Sequence, residues 1–186
     1  MEIGADYTLC YRVNGEGRVE ISADYKPHAE NIALMPKFGM RMRIKPSMDR
    51  IAWYGRGEKE NYPDRKNGYL IGLNELPLSE FVVNYPAPQD NSNRCDARWI
   101  SFSDGKSKLC VDGIQPLCFR AWPWSEEDIE AARHPQDLKT RDFININLDL
   151  NIHGVGGNDG WGARTLDEYT IDGNKPYHYS FILHAE

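Results

Sequence analysis

The chain has 186 residues, with 22 Lys and Arg against 28 Asp and Glu, a formal net charge of −6, and 40% apolar and 27% charged residues. That length fits one domain of about 100–200 residues whose core stands without metal or disulfide staples. The acidic balance argues against nucleic acid or an anionic membrane surface as partner, because both recruit basic faces. No apolar run reaches the ~20 residues that a spanning helix needs.

The opening Met1-Glu2-Ile3-Gly4-Ala5-Asp6 carries neither a basic region nor an apolar stretch, so no signal peptide is expected there. Beyond it, period-two alternation dominates, which indicates strands. Tyr7, Leu9, Tyr11 and Val13 alternate towards a core, and Asn14-Gly15 offers the positive φ of a tight hairpin. Val19, Ile21, Ala23 and Tyr25 then return, with Arg18, Glu20, Ser22 and Asp24 turned outwards. Met40, Met42 and Ile44 alternate with Arg41, Arg43 and Lys45. Ile51–Tyr54, Phe81–Tyr85 and Trp99–Phe102 read as further strands.

One helix is expected, opened by Ser125 with Glu126-Glu127-Asp128 in its first turn, a capping-box pattern, and closed before Pro135. The strongest strand interleaves Ile144, Ile146, Leu148, Leu150 and Ile152 with Asn145, Asn147, Asp149 and Asn151. The last places Tyr177, Tyr179, Phe181 and Leu183 on one side. The expected fold is all-β with one short helix, a sandwich or pair of twisted sheets over residues 1–186.

The chemistry-bearing residues are sparse. Cys10, Cys95, Cys110 and Cys118 form no Cys-x-x-Cys pair and have no accompanying His pattern, so free thiols are expected and no zinc site. Glu58 with Glu60, and Glu126 with Glu127, read as surface charge, which leaves no pair on rigid elements for glycoside chemistry. His28, His134, His153, His178 and His184 are scattered, and His134 and His153 read as structural hydrogen-bonding groups.

His153-Gly154-Val155-Gly156-Gly157-Asn158-Asp159-Gly160-Trp161-Gly162 stands apart. Its glycines permit unusual backbone angles and close approach to a ligand. An indole held there can lie on the apolar C–H face of a sugar, with Asn158 and Asp159 as hydroxyl partners. The structural alternative is that Trp161 caps the core while Asn158-Asp159 make a turn.

Two blocks carry a family resemblance. Trp53-Tyr54-Gly55-Arg56-Gly57-Glu58-Lys59-Glu60-Asn61-Tyr62-Pro63-Asp64-Arg65 resembles the Trp-Tyr-Gly-Arg-Gly-Pro-x-Glu-x-Tyr-x-Asp-Arg signature in the last domain of family 2 glycoside hydrolases of the β-galactosidase type. Gly154 to Gly162 resembles that domain's Gly-x-Gly-Gly-x-x-x-Trp block. Leu34–Met40, Tyr85–Arg94 and His134–Leu138 are similar to three weaker blocks in the same order. Glu58, Lys37, Asp90 and Ser92 depart from the family's Pro, Arg, Glu and Gly.

The resemblance implies a β-supersandwich of the galactose mutarotase-like kind, forming the C-terminal domain of a longer retaining β-galactosidase. Its two catalytic glutamates would lie on a separate (β/α)8 barrel, so this chain alone is expected to be inactive and to hold no catalytic residue. Trp161 would line the sugar pocket. No cofactor is implied in this domain; magnesium or sodium of the parent enzyme would lie outside it. The implied partners are the remaining enzyme domains and a galactoside, with any oligomer arising through the parent; cytoplasm and periplasm both remain open. Arg56, Glu60, Asp64 and Arg65 are expected to form one structural ion network. The alternatives are a stand-alone galactose- or glycan-binding module and an aldose epimerase-like protein.

Overall fold

The first hairpin forms where the alternation places it, from β1 (Ala5–Val13) and β2 (Val19–Pro27), in a computed structural model that describes residues 4–186. Its turn works differently from a tight Asn-Gly hairpin. Five residues separate the paired Val13 and Val19, and Gly17, at φ 77°, takes the left-handed position. Asn14 acts through its side chain, whose Oδ1 accepts from the Glu16 and Arg18 amides at 3.0 Å.

The hairpin's inner face also differs from expectation. Ile21 and Ala23 are buried, yet Tyr7, Tyr11 and Val13 are 51%, 56% and 71% exposed. β1 is the edge strand, and its apolar side is only partly covered: the Tyr7 ring meets the buried Phe38 ring edge-on, with centroids 6.4 Å apart, and the rest of the stripe stays largely in solvent.

The other strands are β3 (Lys37–Ile44), β4 (Arg50–Arg56), β5 (Ile71–Pro77), β6 (Arg94–Ser103), β7 (Lys108–Trp122), β8 (Ile144–Ile152) and β9 (Tyr177–Ala185). All pairings are antiparallel, in the order β1-β2-β9-β7-β6-β4-β5, with β8 joining β7 to β3. The long strand β7 makes this an all-β sandwich. Leu109–Gly113 pairs with β9, whereas Cys118–Trp122 pairs with β8. Pro116, which has no N–H to give a ladder, sits between the two pairings.

The expected strand at Phe81–Tyr85 is absent. Instead, α1 (Leu78–Phe81) makes one turn after the extended Pro77 and drops Phe81 into the core. There its ring lies 5.6 Å from Trp53 and 5.4 Å from Phe119. The helix α2 (Glu126–Ala131) has the predicted cap: Ser125 Oγ accepts from the Asp128 amide, and Asp128 Oδ2 accepts from the Ser125 amide.

One apolar cluster runs from Ile21 and Phe181 through Trp53 and Phe119 to Ile146 and Leu148. β8 is buried on both sides, because its polar residues Asn145, Asn147 and Asp149 are covered as fully as its aliphatic ones. All four cysteines are free. Among the described residues, no helix is long and apolar enough to cross a membrane.

Candidate functional site

The glycine loop leaves the end of β8 and is fastened at its base. The His153 amide donates to Pro36 O, the Gly154 amide to Tyr169 O, and Thr165 Oγ1 to Gly154 O. The Gly156 amide donates to Asp64 Oδ2 at 2.7 Å. A Cβ on Gly154 would stand 2.7 Å from Asp64 Cγ and 2.8 Å from Thr165 Cγ2, so only glycine fits this approach. Gly156, Gly157 and Gly162 take φ of 69°, 88° and 86°.

The tip is shaped by Asp159. Its Oδ1 accepts from the amides of Trp161 at 2.8 Å and Ala163 at 3.1 Å, and these donors hold the carboxyl below its ordinary pKa. Trp161 projects with 94% of its surface exposed. Asn158 is exposed and makes no side-chain hydrogen bond among the described residues. Beneath the loop lies a cavity of about 470 Å³ lined in part by Leu34, His153, Val155, Arg164, Thr165 and Asp167. His153 Nδ1 lies 2.7 Å from Gly154 O, in keeping with a structural role, whereas His134 is exposed and tied in through its backbone amide.

Asp64 belongs to the Trp-Tyr-Gly-Arg block, so the two most specific sequence blocks meet in space at Gly156. Asp64→Ala removes a charge-assisted hydrogen bond of the kind worth ~1.5–3 kcal/mol. We expect the Gly156 amide to exchange hydrogen at least about tenfold faster in this variant, with core strands unchanged. Unchanged exchange at Gly156 would contradict the clamp.

The expected single ion network resolves into separate groups. Arg56 Nε and Lys66 Nζ meet Asp96 at 2.6 and 2.8 Å. Asp96 is poised for this by a φ of 57° at an irregularity in β6. Arg65 pairs with Glu60, and Asp64 joins neither. Glu60 is not surface charge: it is 8% exposed, and its carboxylate accepts from Tyr85 Oη and from the Ser92 amide. Glu126 and Glu127 do lie at the surface, facing Lys37 and Arg41.

Sequence reasoning missed Arg120, which is fully buried between Asp90 and Asp149. Burial works against its charge, but the two carboxylates outweigh it and hold its pKa above the ordinary value. Asp90, where the resemblance puts Glu, is thus the half-exposed end of an ion triad whose other two members, Arg120 and Asp149, are buried. No local pattern marks Arg120, since its partners lie 30 and 29 residues away.

Fold and loop together define an all-β protein whose most exposed aromatic ring stands on a glycine loop fastened at its base. The chain belongs to the β-galactosidase small chain family, which matches residues 1–183. It is similar to the β-galactosidase of Priestia megaterium, with 31% identity over 189 residues, covering 98% of this chain and 18% of that protein. The β-galactosidase of Lactobacillus delbrueckii subsp. bulgaricus is 33% identical over 180 residues, covering 96% and 18%. That of Pseudoalteromonas haloplanktis is 32% identical over 174 residues, covering 93% and 16%. The chain therefore spans about one sixth of the length of these relatives.

Proposed function

We propose that this chain is the small-chain domain of a retaining β-galactosidase, forming a wall of its sugar pocket, with the catalytic glutamates on polypeptide outside these 186 residues. The observation that carries this reading is Trp161, an indole held in water on a loop whose base is fixed. Burying that surface is favourable, and the C–H face of a galactoside is a matching partner. Asn158, exposed beside it, supplies a hydroxyl partner. Asp159 shapes the tip through one carboxylate oxygen and offers the other to the sugar.

The largely exposed inner face of β1 supports the same reading. Tyr7, Leu9, Tyr11 and Val13 form an apolar stripe that the additional polypeptide of the relatives would cover. In this reading the fold is a galactose mutarotase-like supersandwich, and the domain itself needs no cofactor for its part in the reaction.

The test has two arms. The chain alone is expected to hydrolyse no chromogenic galactoside, and to do so only when combined with the catalytic part of a family enzyme. Its tryptophan fluorescence is expected not to saturate with galactose. Hydrolysis by the chain alone would overturn the reading, and saturable binding at low millimolar galactose would favour a stand-alone binding module instead.

A further inference from the structure

We propose that Cys110, His184 and Glu186 form a binding site for a zinc-class transition-metal ion on the outer face of the sheet. Strand register builds the site. Cys110 of β7 lies directly opposite His184 of β9. Glu186, two residues further along, exchanges both backbone hydrogen bonds with Lys108. All three side chains therefore share one face, opposite the core-facing Val111 and Phe181. One ligand atom from each lies within 4.8 Å of the others.

Room for an ion exists because the neighbours are small. Ser101 pairs with Cys110 and Ala52 with Ser101, and these residues with Trp99 help to line a groove of about 470 Å³ that opens on the three ligands. Tetrahedral bonds of about 2.0–2.3 Å set ligand atoms roughly 3.3–3.8 Å apart, so side-chain rotations of about 1 Å close the site. A thiolate, an imidazole and a carboxylate suit zinc, cobalt or nickel and are a poor match for calcium or magnesium, which take oxygen ligands. The fourth position falls to water. As the metal–sulfur bond forms, the Cys110 thiol proton passes to solvent.

The surrounding charges fit this use. Asp112 Oδ2 lies 3.1 Å from His184 Nε2 and orients the ring, the usual job of a carboxylate behind a metal-binding histidine. Arg18 donates to the same oxygen at 2.7 Å. Lys108 Nζ takes Glu186 Oε2 at 2.9 Å and leaves the other oxygen for the ion. Sequence spacing could not show the site, because Cys110 and His184 come from distant strands.

Cobalt(II) titration of the full chain tests the proposal. The wild-type chain should develop a thiolate-to-cobalt charge-transfer band in the near ultraviolet, and added zinc should displace it. Cys110→Ser should abolish the band. Glu186→Gln, at an exposed position that leaves the core untouched, should keep the band and weaken cobalt binding at least tenfold. Asp112→Asn should weaken it about tenfold with the band and the melting temperature unchanged, which marks a positioning residue. Absence of the band in the wild-type chain overturns the proposal. So does its persistence in Cys110→Ser, which would assign it to Cys10, Cys95 or Cys118, or undiminished affinity in Glu186→Gln.

Discussion

Arg120→Met is expected to destabilise the chain by about 3–5 kcal/mol, the largest loss from any single polar substitution considered. The guanidinium is wholly buried, and so is Asp149 at 1% exposure, whereas the Asp90 side chain is half exposed. Removing the arginine leaves the two carboxylates in different situations. Asp90 can turn to water, so its share is small and screened. Asp149 has no such route, because β8 is covered on both faces, and an unpaired buried charge carries most of the cost.

For a chain of this size the loss corresponds to a fall in melting temperature of roughly 6–20 °C. Pairing the change with Asp149→Leu removes the stranded charge and should recover most of the loss, while Asp90→Ala alone should cost far less. Urea unfolding of the four proteins measures this. A loss below about 1 kcal/mol for Arg120→Met, or a double variant as unstable as the single one, would show that the triad does not hold β7 and β8 together.

Where alternation was clean, the strands could be read directly: the first hairpin, β3, β4, β6, β8 and β9 all lie where period-two patterns place them. The same holds for α2, whose cap is a local device within four residues. β7 was invisible because Gly113 and Pro116 look like breakers, and only the change of partner strand makes a proline tolerable there. Phe81 looked like strand because it is aromatic and precedes two valines, yet Pro77 fixes an entry that starts a helical turn instead. β5 escaped because its exposed Ile71 and Leu73 and its glycine obscure the alternation.

Burial was harder to read than pattern. The polar face of β8 and Glu60 are both buried: Asp149 meets Arg120 of β7, and Glu60 accepts from Tyr85 and Ser92 of the segment between α1 and β6, partners that lie 29, 25 and 32 residues away in the chain. The glycine loop was legible as a loop from composition alone. Its anchor was not, because Asp64 and Gly156 are 92 residues apart. At the tip, Asp159 makes the turn of the structural reading, whereas Trp161 is left in solvent rather than capping the core as that reading expects.

The second large effect concerns that indole in the assembled enzyme. An aromatic contact in a pocket contributes ~0.5–1.5 kcal/mol beyond the burial of its area, and each 1.4 kcal/mol is about a factor of ten in binding. Trp161 is 94% exposed in the chain, so its removal should leave folding intact and act only where the sugar meets the loop.

The decisive measurement is the steady-state kinetics of galactoside hydrolysis by the assembled enzyme carrying Trp161→Ala, with Trp161→Phe beside it and melting temperatures recorded for both. The account predicts a rise in KM of about tenfold or more for alanine, a smaller rise for phenylalanine, and unchanged melting. An unchanged KM in the alanine variant would contradict it.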